Sequence, residues 1–294
     1  MKFFFKIFLK FSLLLCFMIV STKSWQMLTH GFRKEKIKVK LQKSSKILDS
    51  EKNKKVLKIL SQNFYYLDKG CQTYVFESEN KEYVLKFIRF SRYKMPFWMN
   101  FTKICEKGKD YYNQRQSQRQ KRFFSTMRSY EITDEFLKKE TGVIYVHLKK
   151  TNLNKIVKFF DKTKRSFDIN VNDFGYILQR KAQPFEKYLK KISKSNKDIE
   201  IVFNSFVDLT LEMFEKKIVN KDYNSVRNTG VLDNKIICTD VGSFYENNHL
   251  DKYWVFHDEF TSFTKMIRKW FIKNSPEKLH IIDKKINEIL EMRK

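Results

Sequence analysis

A chain of 294 residues, 42% hydrophobic and 32% charged, can bury a substantial core, which excludes a disordered or low-complexity polymer. Sixty lysines and arginines against 33 acids leave a net charge of +27 and favour anionic partners. Seven glycines and three prolines argue against a collagen-like chain or a turn-dense sandwich. Cys16, Cys71, Cys105 and Cys238 form no CxxC pair and the five histidines are scattered, so neither a zinc pattern nor a disulfide framework is suggested.

In chain order, Lys2, Lys6 and Lys10 precede an apolar run over 11–20, and Thr22 and Ser24 are small enough for cleavage. Residues 1–24 therefore read as a signal peptide or a membrane anchor, with an uninterrupted run shorter than the roughly 20 apolar residues of a comfortable span. The protein is expected to be exported or membrane-associated. As an anchor, the basic stretch Lys23, Arg33, Lys34, Lys36, Lys38 and Lys40 would hold the body on the cytoplasmic side. Residues 25–55 are polar and basic, without a sustained apolar face, and read as a linker. A short apolar pattern over 56–67 leads to the turn Asp68-Lys69-Gly70. Two strands follow, Thr73–Ser78 and 82–88, joined by Glu79-Asn80-Lys81 as a hairpin.

Residues 89–130 read as a basic, aromatic insertion, with Arg115, Arg119, Lys121 and Arg122 interleaved with Tyr111, Tyr112, Phe123 and Phe124. Its aromatics are expected to pack on the body and its basic face to be solvated. Helical spacing returns at Ile132, Phe136, Leu137 and Glu140 and extends through 143–148. Strands are predicted over 156–160 and 175–179. An amphipathic helix over 201–218 carries Val202, Phe206, Leu209, Met213 and Phe214 on one stripe. A polar loop over 220–230, short strands at 231–232 and 235–238, and a helical remainder from Asp251 complete an α+β chain in two lobes.

Three local features carry chemistry. The turn at Gly70 opens a hairpin whose backbone N–H groups can face phosphates, and Lys86 on the second strand lies between Leu85 and Phe87, which face the other side. Asp222 and Asn228 lie in the polar loop after the amphipathic helix, and Asp240 follows a short apolar strand. A carboxylate and an amide able to hold a divalent metal, with a second carboxylate to accept a hydroxyl proton, are the minimum set for moving a phosphoryl group.

Together these features resemble the protein-kinase-like superfamily over roughly residues 60–245. Leu67, Gly70 and Val75 match the glycine-rich loop, although Asp68 and Thr73 stand where two glycines belong. Val84-Leu85-Lys86 is similar to the V-A-I-K strand, which implies Lys86 as the lysine on the α/β-phosphates of ATP. Asn220-Lys221-Asp222 occupies the place of H-R-D and implies Asp222 as catalytic base. Asp240-Val241-Gly242 resembles D-F-G and implies Asp240 as a Mg²⁺ ligand, 18 residues after Asp222 as is typical of kinases. Asn228 is implied as the second metal ligand, six residues after Asp222 where the motif has five. The helix glutamate that would pair with Lys86 is Glu140, with Glu135 and Glu131 as alternatives. Gln179, Arg180, Lys181 and Ala182 look like the hinge that holds adenine, which places Gln179 and Lys181 at the cofactor.

The chain departs from the eukaryotic pattern in lacking A-P-E, and the 52 residues after Gly242 are too few for a full helical lobe. It looks closer to compact members such as aminoglycoside-phosphotransferase-like or lipopolysaccharide-kinase-like proteins. The implied organisation is a strand-rich small lobe over 56–180 and a reduced helical lobe over 181–294. The implied activity is ATP- and Mg²⁺-dependent phosphotransfer to a protein or small-molecule acceptor. A nucleotide-binding pseudokinase is the alternative, and a basic protein docking on an anionic membrane is a further one. The export-type leader argues against nucleic acid as partner.

Overall fold

The computed structural model describes residues 2–39, 41–42, 50–151, 154–193 and 195–294. Lys40 and residues 43–49 of the expected linker lie outside the described residues. The protein is α+β and divides into two compact units: residues up to Arg92 with His147–Tyr176, and Tyr93–Val146 with Ile177–Lys294.

The first unit is strand-rich. Its sheet runs in the order Tyr83–Ile88, Thr73–Ser78, Phe64–Lys69, Ile156–Phe160, Ser166–Asn170. Neighbours are antiparallel except Phe64–Lys69, which lies parallel to Ile156–Phe160. The hairpin expected around Glu79-Asn80-Lys81 forms as read, with Lys81 at φ +61° and Asn80 capped by its neighbours Ser78 and Glu82. Alternation does the sorting here: Tyr74, Phe76 and Ser78 are buried while Thr73, Val75 and Glu77 are only partly so. The core is aromatic. Phe76, Phe87 and Phe159 meet edge to face with centroids 5.0–5.8 Å apart, and Phe32 closes on Phe76 at 5.2 Å. Each such pair contributes about 0.5–1.5 kcal/mol beyond its buried area.

Two expectations are corrected in this unit. Residues 25–55 are not uniformly an unstructured arm, because Phe32 and Ile37 are buried and Lys38 bridges to Phe174. The apolar segment is also longer than the uninterrupted run. One helix, Lys2–Thr29, continues through Lys6, Lys10 and Ser24, and its stretch Phe4–Thr29 is long and apolar enough to cross a membrane. Isolated lysines do not end a helix, so the run of uncharged residues understated its length.

His147 is buried in this unit and stacks on Tyr176, centroids 4.9 Å apart. Burial lowers its pKa from 6.5 to about 4, against a smaller raising effect of a backbone hydrogen bond with Asn172. The folded chain thus resists protonating this ring. The stability is fully present above pH 6.5 and is lost as pH falls towards 4, on the order of 3 kcal/mol in all. Hydrogen-exchange protection factors around 145–149 and 174–178 should fall as pH drops through that window in the wild type. In His147→Gln the fall should flatten, and an unchanged pH profile in the variant would remove the histidine from the account.

The second unit is mainly helical: Glu106–Phe136, Phe185–Ile192, Asn196–Glu215, Tyr253–Asn274 and Leu279–Met292. Asn196–Glu215 begins ahead of the predicted stripe because Ser195 caps it, accepting the Asp198 amide at 3.2 Å. Its buried face joins a stack of Phe185, Phe206 and Phe263. The helix expected to run through 143–148 stops earlier. Gly142 takes φ +65° after the short helix Lys138–Thr141, and Val143–His147 is a strand beside Tyr176–Arg180. The alternation of Val143, Tyr145 and His147 inwards, with β-branched neighbours, outweighs the apolar spacing that suggested a helix.

The basic insertion is also not as expected. It is built of Phe97–Ile104 as a 3₁₀ segment and the 31-residue helix Glu106–Phe136. Phe97, Trp98, Phe101 and Ile104 are exposed rather than packed, with Ile104 86% accessible. The helix is polar on every side for most of its length and buries only its last turns, through Thr126, Ser129, Tyr130, Ile132 and Thr133.

Candidate functional site

The sequence-predicted residues divide between the units. Gly70 and Lys86 belong to the first; Asp222, Asn228, Asp240, Gln179, Lys181 and Glu140 belong to the second.

In the second unit the strand Ile218–Asn220 pairs antiparallel with Phe244–Glu246. That pairing draws two loops together, and the Lys221 amide donates to the Ser243 carbonyl at 2.9 Å. Asn220 Oδ1 accepts the Asp222 amide at 2.9 Å, and Asp222 Oδ1 accepts the Asn224 amide at 3.1 Å. Two successive Asx turns therefore fix the backbone that carries the exposed Asp222 carboxylate. The single helical turn Ser225–Asn228 follows. A helix advances about 1.5 Å per residue, so the one extra residue between Asp222 and Asn228 adds little reach.

Asn228 is the point where the loops meet. Its carbonyl accepts the Thr239 amide at 2.7 Å and the Asp240 amide at 3.3 Å. Asp240 Oδ1 in turn accepts the Gly242 amide at 3.2 Å, a third Asx turn. Asn228 and Asp240 are thus neighbours through main-chain bonds, and Asp222 is carried on the loop tied to the same turn. Gly230 lies beside them: a Cβ there would stand 2.8 Å from Ala182 Cβ and 2.9 Å from both the Gln183 carbonyl and Thr239 Cγ2. Glycine is required by that close approach.

The donor set suits Mg²⁺ held jointly with phosphates. Among the described residues no group of three or more His, Cys, Asp or Glu gathers as a protein-only metal cage. Mg²⁺ in phosphoryl transfer needs only one or two carboxylates besides the phosphate oxygens. Asp240 supplies a carboxylate, and Asn228, on the adjoining turn, supplies an amide whose oxygen is the atom able to ligate a hard cation. Those two residues would hold the ion.

Electrostatics at the centre of this unit are set by acids close to buried groups. Burial, then the fields of Asp240 and Glu140, push the Cys238 thiol up to about 12. Burial, with Tyr93 and Asp240, holds the Tyr130 hydroxyl well above its ordinary value. Both groups stay neutral at physiological pH, so neither adds an anion beside Asp240.

Glu140 is buried, and its Oε1 takes the Lys216 ammonium, which also donates to the Phe136 carbonyl at 2.8 Å. Glu131 and Glu135 both face Arg128, at 3.6 and 3.9 Å, and Arg128 also reaches Glu246 at 2.8 Å. Gln179 is buried, and its Nε2 donates to the Thr141 carbonyl at 2.6 Å and to the Cys238 carbonyl at 3.3 Å. This side chain therefore ties three segments of the unit together. Lys181 is half-buried just beyond the strand Tyr176–Arg180, and Arg180 pairs with Asp233.

In the first unit Gly70 sits at the hairpin mouth, where its amide donates to the Thr73 carbonyl at 2.9 Å. Arg89 donates to the Gly70 and Cys71 carbonyls at 2.8 and 3.1 Å, and Arg92 to the Cys71 carbonyl at 3.2 Å. Lys86 lies opposite Val75 across the ladder and shares its face with the buried Val84 and Ile88, away from Leu85 and Phe87. Its stem is thus drawn into an apolar setting, as the alternation required.

Sequence reasoning missed Lys216, Cys238 and Ser129, the last of which donates its hydroxyl to the Val241 carbonyl and accepts the Phe244 amide, both at 2.7 Å. A buried serine on an otherwise polar helix gives no signal in the sequence.

No protein-family profile matches the chain, and no curated protein is similar to it in sequence. Among solved structures it is similar to part of the Legionella pneumophila LegK7 effector kinase, at 17% identity with a TM-score of 0.27. That likeness covers 40% of this chain and 25% of the other.

Proposed function

We propose that this protein is an ATP- and Mg²⁺-dependent phosphotransferase of the kinase-like type, acting on a protein or small-molecule acceptor. The observation that supports the reading is the pair of main-chain bonds from Thr239 and Asp240 to the Asn228 carbonyl, which makes the backbones of Asn228 and Asp240 neighbours. The order of Lys86, Asp222, Asn228 and Asp240 along the chain adds to it. Asp222 would accept the acceptor hydroxyl proton, since its carboxylate is exposed on a backbone held by two Asx turns. Asp240 and Asn228 would position Mg²⁺, which when bound neutralises charge on the transferring phosphate. Lys86 and the backbone around Gly70 would bind the α/β-phosphates, and the main chain at 180–182 the adenine. Asp68 and Thr73 carry a Cβ where glycine would let backbone approach a phosphate, so the loop would hold the phosphates less closely than a glycine-rich one.

The test is thermal unfolding and phosphate transfer by the full chain in detergent with Mg²⁺ and ATP. Saturation at about 100 times Kd should stabilise the folded chain by about 2.7 kcal/mol. Turnover should accompany it. Stabilisation without turnover on any acceptor identifies a nucleotide-binding pseudokinase, and neither effect removes the reading.

A further inference from the structure

We propose that a basic pocket at the C-terminal end of the first helix binds the headgroup phosphate of an anionic lipid in a bilayer that this helix spans. The inference is independent of phosphotransfer and rests on the first unit alone.

The helical stretch Phe4–Thr29 has a mean hydropathy of 2.1 over its most apolar window, none of which is buried. Its 26 residues reach about 39 Å, more than the roughly 30 Å of a hydrocarbon core. Its last turn is not loose. Thr29 is buried, donates its hydroxyl to the Trp25 carbonyl at 2.7 Å and accepts the Gly31 amide at 3.1 Å. The Arg165 guanidinium lies 4.8 Å from the centre of the Trp25 ring. A tryptophan at the end of an exposed apolar helix sits at headgroup depth, where such rings concentrate.

At that level the unit opens a cavity of about 350 Å³, lined among others by Trp25, Arg33, Lys34, Glu35 and Arg165. Its cations outnumber its acid. Arg165 is partly neutralised by Asp161, to which it donates at 2.7 and 3.0 Å, and Lys34 donates to the Asp168 carbonyl at 3.2 Å. Arg33 remains exposed on the rim. Further cations crowd close by. Lys162 meets His30, and the Lys36 ammonium donates to the Gly31 carbonyl at 2.7 Å, with Lys69 and Arg89 within its electrostatic reach. Burial and then this repulsion from Arg33, Lys69 and Arg89 lower the Lys36 pKa. Together with Asp161, the nearby carboxylates Asp68 and Glu35 offset this charge only in part. Net positive charge at headgroup depth is complementary to an anionic leaflet, and the pocket is large enough for a phosphate group.

The experiment places the full chain in nanodiscs of phosphatidylcholine, with or without phosphatidylserine, and follows hydrogen exchange at 30–36 and 162–167. Helix insertion is common to both discs, so their difference reports the pocket. Exchange should slow on the order of tenfold in the anionic disc. Arg33→Gln combined with Lys34→Gln should abolish the slowing while matching the wild type in neutral discs, and Lys252→Gln combined with Lys273→Gln should retain it. Equal rates in the two discs would overturn the proposal. So would loss of slowing in the control pair, which reports diffuse charge alone. Slowing in neutral discs by inorganic phosphate alone would also overturn it, because the pocket would then take a free anion rather than a lipid.

Discussion

Replacing Asp240 by asparagine should reduce phosphate transfer by on the order of 10³-fold, the equivalent of about 4 kcal/mol of transition-state stabilisation from a correctly held metal. The substitution is chosen because an asparagine oxygen can still accept the Gly242 amide, which Asp240 Oδ1 accepts at 3.2 Å. The turn should survive, and the unfolding free energy should change by no more than about 1 kcal/mol. What is lost is the negative charge. Nucleotide-dependent stabilisation in the presence of Mg²⁺ should fall with it. Asp222→Asn separates the roles: it should lose turnover yet keep that stabilisation, because a proton acceptor contributes little to binding MgATP. A wild-type rate in the Asp240 variant would rule out this residue as the metal ligand.

The second large effect is on stability. Lys216→Met should destabilise the second unit by roughly 2–3 kcal/mol, because it leaves the Glu140 carboxylate buried with neither oxygen paired. Breaking a fully buried pair costs about 3–5 kcal/mol, and the lower figure applies because the Lys216 side chain is 37% accessible and partly screened by water. Removing both charges in Lys216→Met with Glu140→Met should restore most of the loss. Urea unfolding of the four chains gives the coupling. If the double variant is as unstable as the sum of the singles, the two side chains do not act as a pair.

Local pattern made much of the first unit readable. The hairpin Thr73–Ser78 to Tyr83–Ile88 shows itself through alternation and its Asn80-Lys81 turn, both of which are set by neighbouring residues. The loops carrying Asp222, Asn228 and Asp240 are legible for the same reason, being polar stretches between apolar ones. The bonds that join those loops are not legible, since they run between main-chain atoms and leave no residue preference. Val143–His147 was hidden because its apolar spacing fits either a helix or a strand, and only Gly142 in the left-handed region breaks the tie. The exposed aromatics of Phe97–Ile104 contradict the rule that large apolar side chains seek the core, a rule that holds only where a core is within reach. Ser193 and Pro184 mark the ends of Phe185–Ile192, yet eight residues were too few to stand out as a period.

The buried hydroxyl of Ser129 has a mechanical consequence. One oxygen simultaneously latches the carbonyl of Val241 and the amide of Phe244, so the long helix is fastened to the turn behind Asp240 at a single atom. Sliding that helix by one residue would strip both bonds at once and leave two main-chain groups stranded away from water. Ser129→Ala should therefore loosen the turn that follows Asp240.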